Sequence, residues 1–147
     1  SQRPSIAGIV CVNPAAQAMP EEIVSAIDGM LTEGTEVIPG IGSDIADPDT
    51  TENAYSGTPI RPLLSFIADG LKPLAERLPE IKVPLLLFTS TQDHVVSPAD
   101  SDFIVATYGG AVEQVKLERS YHVATQDFDK QIIFDGAVNF AFAVAES

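Results

Sequence analysis

The sequence is poor in cysteine and in basic residues, and each scarcity excludes a class of protein. One cysteine among 147 residues cannot form a disulfide within the chain, so we expect a reducing compartment, the cytoplasm. Eight basic residues against 21 acidic ones give a formal net charge of −13. Phosphate backbones and anionic lipid surfaces would be repelled by this charge, so we expect no nucleic-acid partner.

Long apolar runs and metal-ligand clusters are missing as well. No apolar run approaches the roughly 18 residues of a membrane span, so we expect no transmembrane segment. The two histidines, His94 and His122, lack a third ligand at a spacing typical of zinc. Four loop carboxylates lack the glycine and the register of a calcium loop, and we expect them to be solvated: Asp44, Asp47, Asp49 and Glu52. The sequence therefore predicts neither a metal nor an organic cofactor.

The apolar residues that are present predict an α/β protein. The run from Val83 to Phe88 has no charged or polar residue, which is typical of a central parallel strand buried on both faces. The run from Ile6 to Val12 predicts a second buried strand, with Cys11 packed in the core, and Val115 to Leu117 predicts a more exposed third. With 45% hydrophobic residues, the chain has the composition of one globular domain.

Helical patterns alternate with these strands. Helices are predicted from Pro20 to Leu31, from Pro59 to about Leu78 after an N-cap at Thr58, from a capping box at Ser97 to about Tyr108, and from Asp127 or Asp129 to Val144. Gly70 and Pro73 predict a bend or a break in the second helix. Residues 17–57 are rich in glycine, proline and aspartate, and predict a loop-rich excursion over the sheet.

Asp93 and His122 each follow a predicted strand and stand 29 positions apart. That interval holds one helix and one strand, enough to pass between the carboxyl ends of neighbouring strands, where open α/β sheets gather their ligands. An imidazole oriented by a carboxylate can accept the proton of a nucleophile during acyl transfer. Two alternatives stay open. Both residues could be ordinary turn residues, or Asp127, which also predicts a helix N-cap, could be the acid.

The segments around both residues resemble the α/β-hydrolases, and within them the carboxylesterases and monoacylglycerol lipases with a small cap. The acid motif of that family, small-x-x-Asp-x-Val-Val-x-Pro, is matched by residues 90–98, and its Ser-x-His-Val motif by residues 120–123. The end of the first strand, Val12-Asn13-Pro14-Ala15, is similar to the sixth strand of the family. The resemblance implies the last three strands of the family's parallel sheet, with core segments 1–16 and 58–147 and a cap over 17–57.

The resemblance covers the whole chain but only the C-terminal half of the family's fold. The nucleophile of the family lies in a Gly-x-Ser-x-Gly elbow between a strand and a helix. Ser43 follows two glycines but has none two residues later, and it lies in a loop pattern. We therefore expect the N-terminal half of the same fold to be the partner that supplies the nucleophile and the oxyanion hole, and Ser1 to lie within the helix after the elbow or at its end.

The resemblance implies a serine carboxylesterase, with Asp93 as the orienting acid and His122 as the general base. Its expected substrate is a small, uncharged or weakly polar acyl ester, such as a monoacylglycerol. The residues expected to contact the substrate are Val96, Val123, Met19 and Ile23, and the last two could instead form the core of the cap. The alternative function is a non-catalytic binding or regulatory piece, or a degenerate hydrolase without a nucleophile.

Overall fold

The structure, a computed structural model, describes residues 6–146. Its strands and α-helices are β1 (Ile9–Val12), α1 (Glu21–Thr32), β2 (Val37–Pro39), β3 (Gly57–Pro59), α2 (Ile60–Ser65), α3 (Lys72–Arg77), β4 (Leu85–Ser90), α4 (Pro98–Thr107), β5 (Val112–Leu117) and α5 (Lys130–Ala145). A π-helical turn, Phe66–Leu71, and 3₁₀ turns at Leu78–Glu80 and Ala124–Gln126 complete the order. The expected helical setting of Ser1, and the outermost ends of the expected core segments, fall outside the described residues.

A parallel sheet of order β1-β4-β5 forms the centre of the fold. All six residues of β4 are buried, which confirms the predicted central strand. Because successive side chains of a strand point to opposite faces, Leu85 and Leu87 pack in one apolar cluster and Leu86 and Phe88 in another. The helix α4 adds Ile104 to the cluster of Leu85 and Leu87, and α5 adds Ile133 to the cluster of Leu86 and Phe88. The predicted α/β class is confirmed.

The strands β1 and β4 begin later than the sequence predicts. β4 starts after Pro84, which has no N–H to donate to a ladder. The backbone at Gly8, just before β1, lies so close to α5 that a Cβ there would be 2.8 Å from the Phe140 ring. Cys11, within β1, packs against the cluster of Leu85 and Leu87, and burial raises the pKa of its thiol.

An antiparallel ribbon of β2 and β3 was not predicted. Ile38 pairs with Thr58 and Pro39 with Gly57, so Thr58 lies in a strand and the predicted N-cap there is wrong. Each strand of the ribbon has three residues and includes a proline, a pattern that signals a turn rather than a strand. The ribbon closes the loop-rich stretch of the 17–57 segment.

The predicted break near Gly70 and Pro73 takes the form of the π-helical turn Phe66–Leu71. Proline in a helix interior clashes with the carbonyl four residues before it, and a widened turn relieves that clash. Helical geometry therefore continues from α2 into α3. Among the described residues, no helix combines the length and the apolar character needed to cross a bilayer.

Candidate active site

Asp93 and His122 lie side by side beyond the carboxyl ends of β4 and β5. Nδ1 of His122 is 2.9 Å from Oδ2 of Asp93. The side chain of Asp93 is 2% exposed and that of His122 is 30% exposed. These strands are neighbours in the parallel sheet, so their ends bring together two residues that are 29 positions apart.

The second oxygen of Asp93 is held by its own turn. Oδ1 accepts the N–H groups of Val95 and Val96, both at 2.8 Å, which leaves Oδ2 for the imidazole. An ionised carboxylate only accepts hydrogen bonds, so in the neutral form of the His122 ring Nδ1 carries the proton and Nε2 has the lone pair. That tautomer is the one needed to accept a proton at Nε2.

Asn13, at the end of β1, fixes the backbone that carries His122. Its Nδ2 donates to the carbonyl of His122 at 2.8 Å and to Ser90 Oγ at 2.9 Å. Its Oδ1 accepts the N–H of Ser90 at 2.7 Å, and Ser90 Oγ donates to the carbonyl of Tyr121. Sequence reasoning treated Asn13 only as the end of a strand. The left-handed backbone it adopts, with φ of 48°, is one that asparagine tolerates better than most residues.

Asp44 is a site residue that sequence reasoning missed. Its Oδ2 accepts the N–H groups of His122 at 3.0 Å and His94 at 3.2 Å, and its Oδ1 pairs with Nδ1 of His94 at 2.8 Å. Burial alone would raise the pKa of Asp44, but these hydrogen bonds outweigh it and hold the pKa below its usual value. The expectation of a solvated side chain is wrong for Asp44, whose side chain is 12% exposed.

Asp127 is fully buried and ties the same loop to the histidine segment. Its Oδ2 accepts the N–H groups of Ala46 and Tyr121, and its Oδ1 those of Asp47 and Phe128. Burial raises the pKa of this carboxyl, but the four backbone donors lower it by more. Since these donors already occupy both oxygens, Asp127 holds backbone segments together and is not the acid that pairs with His122.

Asp127 is not the N-cap residue of the last helix. Asp129 occupies the N-cap position of α5. Its carboxylate accepts the N–H groups of Arg119 and Ser120 instead of a helical one, because the neighbouring loop presents donors to it.

Two of the four expected substrate-contacting residues line one cleft of about 420 Å³. Met19 and Val96 lie there with Phe66 and Leu71, and the Val96 N–H binds Asp93. Ile23 does not line this cleft and is 48% exposed. Val123 lies next to His122, and its N–H donates to the carbonyl of Asp44 at 3.1 Å. Within residues 6–146, no three His, Cys, Asp or Glu side chains are grouped to hold a metal ion.

Enzymes named as lipases are among the known proteins that are similar to this chain. A thermostable monoacylglycerol lipase of Bacillus sp. (strain H-257) is 36% identical over 141 residues. A solved structure reported for LipS and LipT, two metagenome-derived lipolytic enzymes, superposes with a TM-score of 0.81 at 34% identity over 96% of this chain. The fold is that of an α/β-hydrolase. The monoacylglycerol lipase of Paleococcus ferrophilus, at 17% identity and a TM-score of 0.65 over 97% of this chain, shares the fold.

The α/β-hydrolase resemblance drawn from the sequence is confirmed, and it covers only part of the relatives. This chain accounts for 54% of the Bacillus lipase, 56% of the metagenomic enzyme and 60% of the Paleococcus enzyme, so it spans about half the length of the relatives it matches. No family model matches the chain. Ser43 lies exposed in the loop between β2 and β3, outside the strand-turn-helix elbow that carries an α/β-hydrolase nucleophile.

Proposed function

We propose that this chain supplies the acid, Asp93, and the general base, His122, of a Ser-Asp-His triad in a serine carboxylesterase. The N-terminal half of the same α/β-hydrolase fold would supply the serine and the oxyanion hole. The observation that carries the proposal is the 2.9 Å contact between Asp93 Oδ2 and His122 Nδ1 at the ends of adjacent parallel strands.

The reaction that this geometry supports is acyl transfer to serine and then to water. Nε2 of His122 would take the serine hydroxyl proton as the oxygen attacks the ester carbonyl, and would then give that proton to the departing alcohol. Asp93 would hold the ring in place and stabilise the imidazolium. In the second half of the cycle, Nε2 would take a proton from the water that attacks the acyl-enzyme, and would return that proton to the serine oxygen as the acid leaves.

The substrate class follows from the cleft and from the relatives. The cleft lined by Met19, Phe66, Leu71 and Val96 is mostly apolar, and such a lining favours an acyl chain. Two of the similar proteins are named as monoacylglycerol lipases. We therefore propose small uncharged acyl esters, monoacylglycerols among them, as substrates.

The remaining parts of the proposal concern the 17–57 segment and the cell. We assign this segment as a cap, because its first residues, 17–20, line the cleft and its loop contacts the histidine segment. Val123 and Ile23 stay candidate substrate contacts. A cytoplasmic location is part of the proposal, since Cys11, the only cysteine of the sequence, fits a reducing compartment.

The decisive experiment uses the full-length protein that contains this chain. We expect it to hydrolyse a short-chain p-nitrophenyl ester and to react stoichiometrically with a fluorophosphonate at one serine outside this chain. His122→Ala should lower kcat by about four orders of magnitude, because it removes the imidazole that would accept the serine proton.

Two results would contradict the proposal. Labelling of a serine within residues 1–147 would show that the nucleophile has been placed in the wrong half. A folded full-length protein that neither hydrolyses esters nor reacts with the probe would favour the non-catalytic alternative.

A further inference from the structure

Asp44 contacts both segments that carry the proposed acid and base. Its carboxylate accepts the N–H of His122 and the N–H of His94, the residue directly after Asp93. Its carbonyl oxygen accepts the N–H of Val123. One residue of the loop between β2 and β3 therefore holds the backbone beside both members of the Asp93–His122 pair.

The other polar groups of the histidine segment have different partners. Asn13 binds the carbonyl of His122, and Asp127 binds the N–H of Tyr121. Among the described residues, the N–H of His122 has Asp44 as its partner. Removal of Asp44 would leave a partly buried donor unsatisfied and free the backbone to shift toward another acceptor.

A charged acceptor suits this position. Three donors converge on the carboxylate, and they lower its pKa, so it is ionised at neutral pH. Hydrogen bonds to an ionised acceptor are shorter and stronger than those between neutral groups. The His94 ring completes the cluster, since it also packs edge-on against Tyr121 with ring centroids 4.5 Å apart.

We propose that Asp44 is a positioning residue for His122: its carboxylate fixes the backbone from which the imidazole reaches Asp93, and so sets the location of Nε2. This inference rests on the proposed esterase function, and Asp44 acts through His122 rather than on the substrate. A displacement of about 1 Å in a reacting group can cost about 100-fold in rate, so the expected effect falls on kcat.

The test compares Asp44→Ala and Asp44→Asn in the full-length protein, with Asp49→Asn as the control for charge. Asp49 lies exposed in the same loop. Kinetics are measured on p-nitrophenyl butyrate with active sites counted by fluorophosphonate labelling, and backbone exchange at His122 is measured by hydrogen–deuterium mass spectrometry.

Asp44→Ala should lower kcat per labelled site by about 100-fold, with KM nearly unchanged and faster exchange at the His122 amide. Asp44→Asn should lose less, because it keeps one carbonyl oxygen for the N–H of His122. If the alanine variant folds poorly, Asp44→Asn provides the test of the positioning role. Asp49→Asn should match the wild-type protein in all three measurements.

Wild-type kcat per labelled site in both Asp44 variants would overturn the inference. So would a loss of labelled sites with unchanged kcat at those that remain, which indicates a role in folding only. An inactive wild-type protein would refute the proposed function separately. In that event the exchange data decide, and unchanged exchange at His122 in Asp44→Ala overturns the positioning role.

Discussion

At the residue scale, the two oxygens of Asp93 have different partners, and this difference governs the tautomer of His122. Oδ1 faces two backbone N–H groups, from Val95 and Val96, and Oδ2 faces the imidazole. A group that replaces the carboxylate must offer an acceptor to the two N–H groups. The other polar atom of that group then faces Nδ1 of His122.

Asp93→Asn in the full-length protein should therefore lower kcat by about 10⁴. The amide oxygen would stay with the N–H groups of Val95 and Val96, so the NH₂ group would face Nδ1 of His122. Nδ1 would then have to accept, and the proton would move to Nε2, which could no longer act as a base. Ester hydrolysis by stopped assay measures the loss.

The matched control for that substitution is Asp102→Asn. Asp102 is exposed and pairs only with Lys116 among the described residues. The rate of ester hydrolysis by the Asp102→Asn variant should therefore stay at the wild-type level. Full activity of Asp93→Asn would remove the acid from the mechanism.

At the element scale, Asp127 joins the loop before β3 to the loop before α5, and its carboxylate accepts four backbone N–H groups. Each oxygen accepts two of them. An asparagine would therefore place an NH₂ group against two donors, whichever way its amide is turned.

Asp127→Asn should destabilise the full-length protein by about 3 kcal/mol at neutral pH, since hydrogen bonds to a charged group are worth about 1.5–3 kcal/mol each and several are affected. Its backbone hydrogen bonds hold the folded-state pKa of Asp127 below the ordinary value of an aspartate. The carboxylate therefore stabilises the fold above about pH 4, and this contribution is lost as the pH falls through the folded-state pKa. Urea unfolding at several pH values measures the difference, which should shrink in acid.

Asp135→Asn provides the comparison for this element. Asp135 is exposed on α5 and accepts one hydrogen bond, from Gln131, which an asparagine can also accept. A difference between wild type and Asp127→Asn that stays constant below pH 4 would show that the lost charge is not the cause.

Elements that depend on local signals were predictable from the sequence, and the contacts that complete the site were not. The apolar run of β4, the start of α4 at Ser97 and the apolar stripe of α5 each lie within one short stretch. The Asp93–His122 pair followed from strand ends and motifs. By contrast, Asn13 and Asp44 form hydrogen bonds with backbone groups that are 109 and 78 positions away in the sequence, and no local sequence pattern predicts such partners. Asp44 lies in a segment whose composition predicted a loop with solvent-exposed side chains.

At the scale of the whole molecule, the chain presents apolar surface that a parallel sheet normally covers. Val10, on the edge strand β1, is 40% exposed, and on α5 Val138 and Phe142 are 54% and 67% exposed. An uncovered parallel edge is also a template for pairing with another chain. We propose that the N-terminal half of the fold covers these surfaces.

The isolated 147-residue chain should therefore be poorly soluble or molten, and should become ordered when the N-terminal half is attached or supplied in trans. Size-exclusion chromatography and urea unfolding of the chain, alone and co-expressed with that half, measure this. Monomeric behaviour with sharp cooperative unfolding of the isolated chain would show a self-sufficient domain and would favour the non-enzymatic function.

The bonds that hold His122 also bear on the order of folding. Asn13 reaches the His122 carbonyl across 109 positions, Asp44 reaches its N–H across 78, and Asp127 reaches Ala46 across 81. Closing such long loops costs entropy, and this cost is offset only when the hydrogen bonds of the completed site form. Contacts between residues so far apart in sequence therefore form late. The helices can form before the histidine segment has any of these partners. Correct placement of His122, the proposed general base, is therefore a property of the completed fold, and a folding intermediate with native helices would not yet hold it in position.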